Sequence, residues 1–396
     1  MTCRMTKSVK VSEGMEDRIS NLPNEIIDRI LDYMPVEDAA RMSILSRKWR
    51  NIWPMHSKLI FDEHCFKVIR NGRFQYHQII NKILLQHMGP VVEFFLDLSY
   101  ISSTHFSYVD QWMYFLTRNG VKKLTLVNLK QPRMLYSPPS YVFSCPSLTH
   151  LAIHNVCIKP CPIGSLGNLT SLSYKSIFYV SNASVLALRD SLPNPNLKEL
   201  NFSLHKELAK KNGFDLSSLL EKLPKIEILI LNGFALKFLA AGTASTLLPR
   251  TVECLEHLTL DCLDVTDLDH ISATVCLLQS CPSLRILDLK VLSRKKVNEE
   301  GVLNFFKALD CMKLNLVKLK TVKICLNRRK PVAELKLLKL LLACSASLDK
   351  VIIEVKCSID SGAGFRITKE LLGYSRASPN ANIIWSECKS SKTGHS

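Results

Sequence analysis

The sequence predicts an α/β protein: a short three-helix module at the amino end, then an irregular repeat solenoid with parallel strands on its concave side and helices on its convex side. Three observations predict it. An apolar-x-x-apolar-x-apolar pattern recurs nine times between residues 121 and 353. In several repeats a stretch of helical periodicity and a proline precede that pattern. Before residue 63, short segments of helical spacing are divided at prolines.

The amino-terminal module is read from "DRISNLPNEIIDRILDYMPVEDAARMSILSRKWRNIWP", residues 17–54. Pro23 suits the first turn of a helix, where its missing N–H loses nothing, and Glu25 is favourable near the helix's positive end. Ile26, Ile27, Ile30, Leu31 and Met34 form a broad apolar stripe at helical spacing. Pro35 stops that helix, and Glu37 and Asp38 open a second one carrying Ala39, Ala40, Met42, Ile44 and Leu45. Ser46 can cap a third, which holds Trp49, Ile52 and Trp53. Trp49 and Trp53 stand four apart on one face, so they pack together instead of alternating with Arg47, Lys48 and Arg50 as base-stacking platforms would. Three short helices make a small core, and the apolar excess of the first is expected to be covered, by a partner or by the rest of the chain.

The nine repeat patterns centre on Leu124, Leu151, Leu172, Leu200, Leu229, Leu258, Leu287, Val322 and Val351, at intervals of 27, 21, 28, 29, 29, 29, 35 and 29 residues. Each is one strand long. "VVEFFL" at 91–96 reads as an earlier, less regular turn. The unit is clearest in "DLDHISATVCLLQSCPSLRILDL", where Leu268, Ile271, Val275 and Leu278 recur at helical spacing, Pro282 ends the helix and a strand follows. "SCPSL" occurs at 144–148 and 280–284, so Cys145 and Cys281 occupy equivalent turns and are expected to pack. One such unit cannot bury its apolar side alone; neighbours stack into a continuous core.

The chain has 396 residues and a formal net charge of +17, from 52 Lys+Arg against 35 Asp+Glu. Nucleic acid, an anionic membrane or an acidic protein could each answer that charge. No stretch reaches the ~18 apolar residues of a membrane span. Residues 1–15 are polar and resemble no secretory leader, so the fourteen cysteines are expected as buried thiols. No C-x-x-C pair occurs, and no metal site is expected. G-x-S-x-G, H-E-x-x-H and phosphate-loop signatures are missing, and His257 near Cys254 is the one faint nucleophile–base suggestion. Neither catalysis nor a cofactor is expected.

In a solenoid of this kind the residues between and beside the apolar strand positions face outward. Those expected to hold a target are His150, Glu199, Asn201, His257, Asp261, Asp288 and Lys290, with Lys123, Thr125, Thr259, Lys350 and Glu354 beside them. Their mixed polarity suits a folded protein or peptide better than a phosphate backbone.

Leu22-Pro23, "II" at 26–27, "IL" at 30–31, Pro35, "LSRKWRNIW" at 45–53 and "LIFD" at 59–62 resemble, position by position, the F-box of plant F-box proteins. "GPVVEFFLDLS" at 89–99 and "VDQWMYFLTRNGVKKLTL" at 109–126 resemble the segment that follows it in plant F-box/FBD/LRR-repeat proteins. "LLKLLLACSASLDKVIIEV" at 337–355 and "ELLGYSRASPNANIIW" at 370–385 resemble their closing FBD region, and the repeats between resemble irregular leucine-rich repeats. The implied organisation is an F-box at 16–62, a connecting region at 63–120, leucine-rich repeats at 121–336 and an FBD-like region at 337–388, with mobile tails at 1–15 and 389–396. The resemblance implies docking onto a Skp-family adaptor and, through it, a cullin ubiquitin ligase. Leu22, Pro23, Ile26, Ile27, Leu31, Val36, Leu45 and Trp49 become the docking surface or its support, and charge at Ile26 or Leu31 is expected to abolish docking. The implied function is a non-catalytic substrate adaptor in the nucleus, the cytoplasm or both. The alternative is a receptor whose small-molecule ligand completes the target surface, with the basic runs "SRKK" at 293–296 and "NRRKP" at 327–331 as contributors; those runs could equally be import signals or solvated turns.

Overall fold

The computed structural model describes residues 22–45, 47–69, 75–129, 135–158, 166–179, 194–205, 216–240, 251–292, 299–308, 314, 316–326, 331–355 and 361–387. Both tails, Ser46 and the two basic runs (Pro331 apart) lie outside them. The chain divides into two units, Met1–Phe94 and Phe95–Ser396.

The first unit opens with α1 (Asn24–Asp32), α2 (Val36–Leu45) and α3 (Arg47–Ile52). Pro23 and Pro35 each stand one place before a helix. Pro23 lends its carbonyl to the N–H groups of Ile26 and Ile27, and Pro35 to those of Asp38 and Ala39. A proline there gives up no N–H that the helix needs, while its carbonyl receives the first turn. Ile27, Leu31, Ala39 and Trp49 form the core of the three helices, with Leu22, Ile30, Met34, Met42, Ile52 and Trp53 packed around it. A 3-10 turn at Trp53–Met55 leads to β1 (Lys58–Phe61), α4 (Glu63–Ile69) and α5 (Tyr76–Gln86). Buried His56 ties α1 to β1. The Lys58 N–H donates to its Nδ1 at 3.1 Å, so Nε2 carries the proton and donates to the Met34 carbonyl at 3.0 Å. Burial holds this imidazole below its ordinary value, in keeping with a neutral ring.

Strand β2 (Glu93–Asp97) leads into the second unit, whose elements are α6 (Phe106–Arg118), β3 (Lys123–Val127), α7 (Ser140–Phe143), β4 (His150–His154), β5 (Cys157–Ile158), β6 (Ser171–Tyr179) and β7 (Glu199–Leu204). Then come α8 (Leu216–Glu221), β8 (Ile228–Asn232), α9 (Gly233–Ala240), β9 (His257–Leu263), α10 (Leu268–Ser280) and β10 (Ile286–Val291). The last are α11 (Glu299–Ala308), β11 (Thr321–Leu326), α12 (Val332–Cys344), β12 (Lys350–Val355), α13 (Ser361–Leu372) and β13 (Asn382–Glu387). From β3 to β13 the strands pair side by side, all parallel, in the order β3-β4-β6-β7-β8-β9-β10-β11-β12-β13, while β5 joins the end of β6.

Through the pattern positions, register is kept to the residue, with shifts beyond Tyr174 and Leu289. Leu124, Leu151, Leu172, Leu200, Leu229, Leu258, Leu287, Val322 and Val351 are successive partners across the sheet. The 21- and 35-residue intervals are therefore absorbed by the connections. The first, fourth and sixth positions of every pattern are buried, including Tyr174, the one polar residue at a sixth position. Each fully buried leucine or isoleucine contributes about 1.5–3 kcal/mol, so the continuous column is the main source of cohesion. Helix α10 buries Ile271, Val275 and Leu278 as its spacing predicts, but Leu268 is exposed because it lies in the first turn.

Two features were not foreseen. Strand β13 extends the column through Ile383, the partner of Val351. Its first pattern position is Asn380, a polar residue, so the pattern does not register there. Asparagines also close strand ends and turns. The Asn155 amide donates to the Asn128 carbonyl at 2.8 Å, and Asn155 itself adopts φ +52°. Asn232 donates to the Leu204 carbonyl at 2.7 Å and accepts from the Leu204 N–H at 3.1 Å. Buried Asn194 donates to the carbonyls of Leu166 and Leu169, both at 2.7 Å.

Candidate functional site

On α1, Ile27 and Leu31 point into the core while Ile26, and Tyr33 at the helix's C-terminal cap, remain 42% and 91% exposed. Ile26, half-buried Ile30 and Tyr33 are spaced i, i+4, i+7 and share one face. The apolar arc of α1 is thus wider than its own core covers. Pro23 and Pro35 are exposed as well, and on α2 Ile44 is 78% exposed. A charged rim flanks this surface: Arg41 pairs with Asp38 at 3.1 Å, and Lys58 with Asp32 at 3.5 Å.

Of the residues expected to dock, Pro23 and Ile26 are exposed and Leu22 is half-buried against the core. Ile27, Leu31, Val36 and Trp49 are interior and can act only as support. A charge at Leu31 would therefore act by unfolding the module, unlike a charge at Ile26. The side chain of Leu45 lies outside the described atoms. Tyr33 at the cap of α1 and Ile44 on α2, absent from the expected docking set, carry larger apolar exposure than Ile26; periodicity gives a residue's direction, not what neighbouring helices leave uncovered.

The outward face of the sheet carries the second set. His150, Glu199, Asn201, His257, Asp261, Asp288 and Lys290 all lie on it, exposed or half-buried. Register makes them partners in ways that spacing does not reveal. The His257 ring lies 3.1 Å from Asp288 and 3.2 Å from the Thr259 hydroxyl. Lys290 pairs with Asp261 at 3.7 Å, and Lys323 with Glu354 at 2.9 Å. Glu199 accepts from the Ser171 hydroxyl at 3.0 Å, and Asn201 from that of Ser203 at 3.3 Å. His154 meets the Ser173 hydroxyl at 3.1 Å; burial and the neighbouring Lys175 push its imidazole down to about 4. At partial exposure such pairs contribute little stability each but fix the positions of the side chains they join.

The suggestion of a Cys254–His257 couple is not supported, since His257 bonds instead to Asp288 and Thr259. Cys281 is buried, with its thiol pushed up to about 12 by desolvation, and Cys145 is buried in the equivalent turn. A small cavity beside β9 is lined by Gly233, Lys237, Asp264, Asp267 and His270, among others. There Lys237 pairs with Asp267 at 3.1 Å, and the Asp264 N–H donates to His270 Nδ1 at 3.0 Å. One lysine facing two carboxylates is not a convergence of basic groups. Among the described residues no cluster of three or more His, Cys, Asp or Glu could hold a metal ion, and no helix is long and apolar enough to cross a membrane.

These features define the class of protein. A family model described as the F-box domain matches residues 19–61, the segment that holds the incompletely covered helices. The chain thus carries an F-box-domain segment, followed in sequence by a parallel-strand repeat sheet consistent with a leucine-rich-repeat solenoid. It is 28% identical over 422 residues to an F-box/FBD/LRR-repeat protein of Arabidopsis thaliana, covering 93% of this chain and 98% of that protein. A second F-box/FBD/LRR-repeat protein of that plant is 34% identical over 143 residues, 35% of this chain and 32% of its own length. An FBD-associated F-box protein is 27% identical over 197 residues, 49% of this chain and 47% of its own. Over nearly its whole length the chain is similar to plant F-box/FBD/LRR-repeat proteins, and the F-box match supports a substrate-adaptor role in general terms.

Proposed function

We propose that this chain is the substrate-recognition subunit of a Skp–cullin–F-box ubiquitin ligase. The amino-terminal module docks on a Skp-family adaptor, which links it to the cullin, and the outward face of the sheet holds a target protein for ubiquitin transfer by other subunits. The observation that carries this reading is the apolar surface of Ile26 on α1 and Tyr33 at its C-terminal cap, left open beside a filled core within the F-box segment.

Leu22, Pro23 and Ile26 make contact with the adaptor; Ile27, Leu31, Val36 and Trp49 hold the helices that present them, and Leu45 stays a candidate. On the target side the contact set is His150, Glu199, Asn201, His257, Asp261, Asp288 and Lys290. The chain makes and breaks no bonds and takes no cofactor. Its contribution is proximity: a target lysine held near the charged conjugating enzyme reacts at raised effective concentration. The working organisation is an F-box at 16–62, a connecting region at 63–120, repeats at 121–336 and an FBD-like close at 337–388, acting in the nucleus, the cytoplasm or both.

The test is capture of a recombinant Skp adaptor by the full chain. Capture is expected, as is its loss in Ile26→Asp at an unchanged melting profile. No capture by the unmodified chain refutes the assignment.

A further inference from the structure

Outward residues of the sheet fall into rows that cross the strands, because register sets equivalent positions side by side. On β3, β4 and β6 the described outward positions hold Lys123 and Lys175 and no carboxylate. Neither lysine has a carboxylate partner among the described residues. Ile228 and Ile230 on β8 and Ile286 at the start of β10 face outward, where β7 and β9 carry Glu199, Asn201, His257 and Thr259; Asp288 and Lys290 follow Ile286 on β10. Ile286 is 38% exposed. Ile228 and Ile286 flank His257, whose ring is fixed by Asp288 and Thr259. The face therefore has a cationic end and an aliphatic middle.

We propose that the outward face between β3 and β10 recognises a protein segment with carboxylates at one end and a large apolar side chain at the other. The carboxylates sit over Lys123 and Lys175, and the apolar side chain over Ile228, Ile230 and Ile286. This rests on the target-holding role assigned above and adds the chemistry of the target. Complementary charge steers the segment and sets its direction, and the desolvated isoleucines anchor it. A nucleic-acid backbone fits less well, because its phosphates would continue over Glu199, Asp261 and Asp288. Strands lie about 4.8 Å apart, so Lys175 and Ile230 stand about 12 Å apart and Lys123 and Ile228 about 19 Å. In an extended segment the acidic and apolar residues are then about four to six positions apart.

The experiment selects a random peptide library, displayed on phage, on the full chain. Enriched peptides are synthesised and titrated by fluorescence anisotropy against the unmodified chain, the Lys123→Glu/Lys175→Glu double variant and Ile286→Ser. Enriched sequences should pair Asp or Glu with a large apolar residue at that spacing. Charge reversal should weaken them tenfold or more, and Ile286→Ser about threefold, with circular dichroism unchanged. A basic consensus, no enrichment, or equal affinity for all three proteins overturns the proposal. Adaptor capture is measured on the same preparations. Retained capture with indifferent peptides overturns this inference alone; lost capture with charge-sensitive peptides overturns the ligase assignment alone.

Discussion

Replacing Ile26 and Ile44 together by alanine separates docking from folding. Burying an isoleucine side chain completely is worth about 1.5–3 kcal/mol. With 42% of Ile26 and 78% of Ile44 still in water, a partner that covered both would gain about 2–3.5 kcal/mol. Alanine keeps its methyl group, so the double variant should lose about 1.5–2.5 kcal/mol, an affinity about 10- to 70-fold weaker. The module's own stability should fall by less, about 1 kcal/mol from the covered parts of the two side chains, since the cluster of Ile27, Leu31, Ala39 and Trp49 is untouched. Calorimetric titration with a Skp adaptor reads the first quantity and thermal melting the second. Unchanged affinity would refute the argument that these side chains face the adaptor. A large fall in melting temperature would show that they belong to the core. Leu31→Asp cannot make this distinction, because a charge placed in that core abolishes binding by unfolding.

Further outcomes follow from single sites. Gly233→Ala would drive its methyl group into the Cys262 carbonyl oxygen and crowd the His270 ring, so the melting temperature should fall, consistent with a loss of about 1–3 kcal/mol. Asn194→Ala leaves the carbonyls of Leu166 and Leu169 without their donor and should cost about 1–3 kcal/mol in a urea titration. His154 is held neutral, down to about 4 against 6.5 when unfolded, so the unfolded chain binds the extra proton between those values. Stability is full above about pH 6.5 and should fall by about 2–3 kcal/mol toward pH 4; His154→Gln should flatten that part of the profile. Iodoacetamide at neutral pH should label exposed Cys254 and Cys262 and spare Cys281, as peptide mass spectrometry will read.

The repeat architecture was legible because one physical demand recurs: a strand in a stacked sheet buries its first, fourth and sixth residues. Leu229, Leu258 and Leu287 could be placed opposite one another from their 29-residue spacing alone, and they are direct partners. Strand β13 escaped because Asn380 stands at its first position, while register, which the sequence does not display, carries the column on to Ile383. The residues expected to dock were legible as a helical segment, but not which of them stand exposed. Helical spacing placed Ile26, Ile27 and Leu31 on one broad stripe, but only the packing of α2 and α3 separates the covered residues from the open ones. On the sheet face, the alternation identified His257 and Asp288 as outward residues. Their pairing depends on which residues the parallel register brings together, 31 positions apart in the chain.

The column of inward residues has a consequence for how such a chain can change. Alternate letters of each strand serve different masters, so a substitution at an outward letter changes the exposed face while the stacking beneath stays as it was. Insertions and deletions between strands are similarly harmless to pairing, as the shortest and longest intervals already demonstrate. The outward face of such a chain can therefore be rewritten without first losing the ability to fold.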